Sequence, residues 1–188
     1  MKKKTLATIM SIITILFIFS SMSYAATKEE WKKAHNSRRY WHGAPAVEWS
    51  DKLAVDAKTC IDNWNGVHCN SGQNYTGCTT PESAVADWYS EEPDYVKYVG
   101  YGNEPKTKTV NGWTSLDDPN KGKYLHFTQV VWKSTKLIGC ATGAAGTICN
   151  YDVGNVATQF KQNVGYNFFP FFQAWIARIL KFQIITIP

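Results

Sequence analysis

Few side chains in this 188-residue chain are suited to chemistry: four histidines and five cysteines stand out. His126 heads the stretch Leu125–Thr135, followed by Phe127-Thr128-Gln129, an apolar Val130-Val131-Trp132 and a polar Lys133-Ser134-Thr135 exit. That order predicts a short buried helical turn that draws Trp132 inward and leaves His126 at its mouth. His68 and Ser71 would suit a base and a nucleophile, but the sequence offers no third group to orient the imidazole. It contains no Gly-x-Ser-x-Gly elbow, phosphate loop or His-Glu-x-x-His motif, and turnover is not expected. His35 and His42 lie along and just beyond a predicted helix, where histidine more often serves as a hydrogen-bonded support than as a ligand.

The compartment decides how the cysteines read. Residues 1–25 have the form of a secretory signal peptide: Lys2-Lys3-Lys4, the apolar run Leu6–Phe19, then Ser23-Tyr24-Ala25 as a cleavage site. The run is shorter than the ~20 residues a membrane span needs. Cleavage removes three lysines and takes the formal charge from +5 to +2, so nothing points to nucleic acid. A secreted, extracellular product is expected, and its cysteines then read as disulfides rather than nucleophiles or metal ligands. If Gly143-Ala144-Ala145-Gly146 is a hairpin turn, Cys140 and Cys149 face each other within bridging distance. The pairing of Cys60, Cys69 and Cys78 stays open.

The elements that must position these residues can be taken in order. Thr27-Lys28-Glu29-Glu30 is a capping box; its helix carries Trp31, Ala34 and Arg38 on one stripe and ends near Gly43. Ser50 caps a second helix with Leu53, Ala57, Ile61 and Trp64 on its buried face, stopped by Asn65-Gly66. A polar loop, Val67–Asn74, follows. Thr80-Pro81-Glu82 opens a third helix with the stripe Ala84, Val85, Trp88, ended by Pro93. Asp94–Lys123 shows no sustained period and reads as a long loop with spaced aromatics, either functional or simply a solvated connection. Tyr166–Pro188 is an aromatic and apolar tail without an acid. Arg178 and Lys181 disfavour a bilayer span, which leaves open either peripheral membrane contact or a misread end of the coding sequence.

Together, Leu125–Thr135 and Gly139–Asn155 resemble the paired signatures of the CAP superfamily of cysteine-rich secretory, antigen 5 and pathogenesis-related proteins. Leu125 stands where that family's first signature has Gly. The run His35-Asn36, Arg39, His42-Gly43, Pro45, Val47, Trp49, Leu53-Ala54 resembles the family's opening, and Asp152–Gly165 its fungal-type closing segment. The resemblance implies an α+β fold, a three-layer α-β-α sandwich with a small antiparallel sheet over residues 26–165, braced by disulfides with Cys140–Cys149 among them. It also implies a cavity tetrad at His68, Gln73, Glu91 and His126, with Gln73 in place of the family's Glu. No cofactor is required. His68 and His126 could hold Zn²⁺ or a similar ion weakly, because the amide lacks a charge and a good oxygen donor. The plainer alternative is a hydrogen-bonded cluster lining a wet cleft.

The implied function is non-catalytic extracellular binding of a sterol or other small lipid, through the loop bearing Tyr95, Tyr98, Tyr101, Trp113 and Tyr124. The alternatives are an effector or defence protein acting on a host or cell-surface partner and, more distantly, a metal-assisted hydrolase. Asn74-Tyr75-Thr76 is a possible glycosylation sequon; the competing reading has the Asn74 amide paired inside its loop.

Overall fold

The computed structural model describes residues 26–173 and 175–176. The expected signal peptide and residues 177–188 of the tail lie outside them. Helix α1 (Lys28–Trp41) starts at the capping box, with the Thr27 hydroxyl accepting the Glu30 N–H and the Glu30 carboxylate accepting the Thr27 N–H. Its buried residues are Trp31, Ala34, His35 and Arg39. The inward basic residue is therefore Arg39, one position beyond the Arg38 of the predicted stripe. Arg38 is partly buried and pairs with the exposed Glu82. Strand β1 (Glu48–Trp49) leads into α2 (Asp51–Asp62), which Ser50 caps as the sequence indicates.

A four-stranded sheet runs in the order β1-β5-β6-β2, where β2 is Gln73–Thr76, β5 Leu137–Gly143 and β6 Gly146–Tyr151. It is mixed rather than wholly antiparallel, because β1 lies parallel to β5. Helix α2 packs against β5 and β6, where Ala57, Cys60, Ile61 and Ile148 form a small apolar layer. Gly139 is required in β5: a Cβ there would sit 2.1 Å from the Ala54 nitrogen. A larger core includes α1, α3 (Pro81–Tyr89) and α5 (Leu125–Val130), with Trp88, Phe127 and Trp132 buried within it. Cys140 and Cys149 are partners across the β5–β6 register and are bridged; Cys60 is bridged to Cys69, and Cys78 is free.

Two expectations are corrected between α3 and α5. Pro93 does not simply end α3, which stops at Tyr89; it sits in the first turn of α4 (Glu92–Tyr98), a position that tolerates its missing N–H. The expected structureless loop contains this helix and a hairpin, β3 (Thr107–Val110) with β4 (Trp113–Leu116), followed by a 3₁₀ turn at Lys121–Lys123. The hairpin turn is Asn111-Gly112, both with positive φ. That is the strongest short hairpin signal a sequence carries.

Candidate functional site

The site is organised by α5, and two charged side chains, a partly buried Glu91 and a buried Arg39, hold that six-residue helix at its ends. At the N-terminus, Glu91 Oε2 accepts the His126 and Phe127 backbone N–H groups at 2.9 and 3.1 Å, and Oε1 accepts His126 Nδ1 at 2.7 Å. The carboxylate thus satisfies unpaired amides, complements the helix dipole and fixes the imidazole. At the other end, the Arg39 guanidinium donates to the carbonyls of Val130, Trp132 and Thr135, and its Nε donates to Pro45 O. No carboxylate pairs with it among the described residues, and burial lowers its pKa to about 10. Carbonyl dipoles at the helix exit take the place of a counter-ion.

His126 faces a cavity of about 450 Å³ whose lining includes His68, Gln73, Asn74, Leu116, Leu125 and Asn155. His68 Nδ1 donates to Gln73 Oε1 at 3.0 Å, and the Cys69 N–H donates to the same oxygen at 3.2 Å. Those two donors fix the orientation of the Gln73 amide, whose Nε2 then donates to Asn150 Oδ1 at 2.7 Å. Asn150 is held in turn by donating to Leu53 O. In both histidines Nδ1 is engaged, and Nε2 has no hydrogen-bond partner among the described residues.

The structure therefore brings His68, Gln73 and His126 to one cavity and places Glu91 behind His126, outside the lining. Among the described residues one set of three potential metal-ligand atoms lies within 4.8 Å, that of His35, Cys140 and Cys149. Its sulfurs are joined in the disulfide and offer no thiolate. Two imidazole nitrogens remain as candidate ligands at the cavity, so a metal held there would need solvent to complete its coordination. His35 and His42 are buried supports: His35 bridges Trp31 O and the Tyr151 hydroxyl, and His42 bridges Gly165 O and the Tyr89 hydroxyl.

The five expected loop aromatics do not form one surface. Tyr95 and Tyr124 are fully buried and Tyr101 is partly buried against them, because the core needs large apolar side chains. Tyr98 lies beneath Lys97 and Lys123. Trp113 is 83% exposed, at the hairpin turn. Asn74 is 2% exposed and donates its amide N–H to His126 O at 3.1 Å, which leaves a glycan no exit from the folded chain. Arg39 and Asn150 lie in stretches that carry the family resemblance, but sequence reasoning gave neither a role at the site. The first had a signal in the buried face of α1; the second sits on a strand buried along its whole length, where alternation gives none.

The family model for the cysteine-rich secretory protein family, CAP, matches residues 32–156. Fruiting body protein SC7 of Schizophyllum commune is 38% identical over 125 residues, covering 60% of this chain and 49% of that protein, so the chain spans about half that relative's length. Pathogenesis-related leaf protein 6 of Solanum lycopersicum is 28% identical over 160 residues, covering 78% of this chain and 91% of its own. The solved structure of BmVAL-1 superposes with a TM-score of 0.53 at 21% identity, over 73% of this chain and 82% of that one, a likeness of fold. On the extent of the family match and the relationship to these proteins, the chain belongs to the cysteine-rich secretory protein family.

Proposed function

We propose that the chain is a secreted, extracellular binding module that takes a sterol or similar small lipid and performs no catalysis. Membership of a secretory family and the form of residues 1–25 support the extracellular location. The observation that carries the ligand reading is Trp113, 83% exposed on a hairpin whose Leu116 lines the cavity together with Leu125. Apolar surface left in water beside a preformed cavity favours an apolar ligand with a small polar end. The engagement of both Glu91 oxygens by α5 supports the non-catalytic reading, since such a carboxylate is poorly placed to move a substrate proton. Equilibrium binding of labelled cholesterol should be saturable, and Trp113→Ala should weaken it at least ~10-fold. Equal binding by the variant overturns the hairpin's role. No binding by the wild type favours a host or cell-surface protein as partner.

The unpartnered Nε2 atoms of His68 and His126 favour a second reading, weak binding of Zn²⁺. Calorimetric titration tests it, and an unchanged affinity in His68→Ala/His126→Ala would exclude these ligands.

A further inference from the structure

We propose that the aromatic face carried by residues 168–176, together with Tyr40 on α1, docks on the surface of an anionic lipid bilayer. The segment is fastened to the core rather than trailing from it. Asn167 Nδ2 donates to Glu92 Oε1 at 2.9 Å and to the Tyr89 hydroxyl at 3.2 Å, and the Phe168 N–H donates to Trp41 O at 2.9 Å. The Phe169 and Phe172 rings lie 4.8 and 5.4 Å from Trp41. This inner contact orients the chain and leaves a second stripe facing outward.

That outer stripe is Phe168, Phe171 and Trp175, at spacings of three and seven from its first member. These spacings place one helical face together. Their exposures are 54, 71 and 56%, and Tyr40, at 72%, belongs to the α1 end that the segment crosses. A contiguous aromatic face of this kind marks an interaction surface, and Trp, Tyr and Phe suit the boundary between headgroups and acyl chains. Charge selects the occupant. No Asp or Glu follows Asp152, whereas Lys161, Arg178 and Lys181 do. An acid-free, basic segment is attracted to anionic lipid, while a second copy would oppose like charges. Among the described residues no helix is long and apolar enough to cross a membrane; the contact proposed is with the bilayer surface. It does not rest on the sterol reading.

The test is flotation of the full chain with vesicles of phosphatidylcholine and phosphatidylserine at about 3:1, and of phosphatidylcholine alone. The wild type should float with the mixed vesicles and less with the neutral ones. Phe171→Ser/Trp175→Ser, at two exposed positions, should lower the partition coefficient roughly 10–100-fold, from the lost aromatic burial, with an unchanged melting temperature. Failure of the wild type to float with the mixed vesicles overturns the proposal, as does undiminished flotation of the double variant. If Trp113→Ser abolishes flotation while the double variant floats normally, the hairpin is the docking element and the proposal fails. A wild-type dimer without vesicles, lost in the double variant and accompanied by no flotation, assigns the face to a second copy instead.

Discussion

At the scale of single residues, Gln73 shows how one amide changes a site. Its Oε1 accepts from His68 Nδ1 and the Cys69 N–H, and its Nε2 donates to Asn150 Oδ1. A carboxylate in its place would keep the first two bonds and set an acceptor against Asn150 Oδ1. Gln73→Glu should therefore cost about 1–3 kcal/mol in urea denaturation, the penalty of an unpaired buried acceptor. It should nevertheless tighten Zn²⁺ binding in calorimetry, because it adds a negative charge beside His68. Unchanged stability would mean that Asn150 turns freely, which its bond to Leu53 O opposes. The sequence made the identity of residue 73 legible as a departure from its family's motif. It did not reveal Asn150, whose side chain meets Gln73 across the β2–β6 ladder, 77 positions along the chain.

At the scale of elements, a helix of six residues cannot stand on its own hydrogen bonds, and α5 is held by groups from elsewhere. Arg39→Lys keeps the charge but replaces a planar fork by a point donor that cannot reach all four carbonyls. A loss of about 2–4 kcal/mol in chemical denaturation is expected, as for a buried charge stripped of partners. A neutral result would mean that packing alone holds the helix exit. Elements with strong local signals were legible: the capping box of α1, the Thr80-Pro81-Glu82 start of α3, the Ser50 cap and the β5–β6 hairpin. The inward residue of α1 was misplaced by one, since Arg38 and Arg39 are alike in type and only the tertiary contact separates them. The β3–β4 hairpin touches the core only through Leu116, and its other residues are exposed. Without a buried face there was no alternation to read, and its Asn111-Gly112 turn was the remaining signal.

The Cys140–Cys149 bridge joins paired positions on β5 and β6. It closes a loop of about ten residues and should contribute on the order of 2–3 kcal/mol by restricting the unfolded chain. Cys140→Ser/Cys149→Ser should lower the urea midpoint accordingly. A change much smaller than that would show that the hairpin register restricts the unfolded chain without the bridge.

At the scale of the whole molecule, pH should bear on stability through the histidines that brace the layers. His35 is buried between α1 and β6, with Arg38, Arg39 and the Tyr151 hydroxyl as its titratable neighbours. Burial, more than any neighbouring charge, lowers its pKa from 6.5 to about 4; the nearby guanidinium groups push the same way. His42 is lowered too, again chiefly by burial. A base whose folded pKa lies below its unfolded value binds its proton more readily when unfolded. Its contribution is therefore complete above the unfolded pKa and is lost as pH falls from about 6.5 toward 4. At 1.36 kcal/mol per pKa unit, full loss at His35 amounts to about 3 kcal/mol. His35→Gln retains a side chain able to bond Trp31 O or Tyr151 but cannot take up a proton. The variant should be less stable than the wild type near pH 7.5, and its urea midpoint should fall less between pH 6.5 and 4. If the two curves run parallel through that window, His35 is not the acid-sensitive brace, and His42 between Gly165 O and Tyr89 becomes the group to replace.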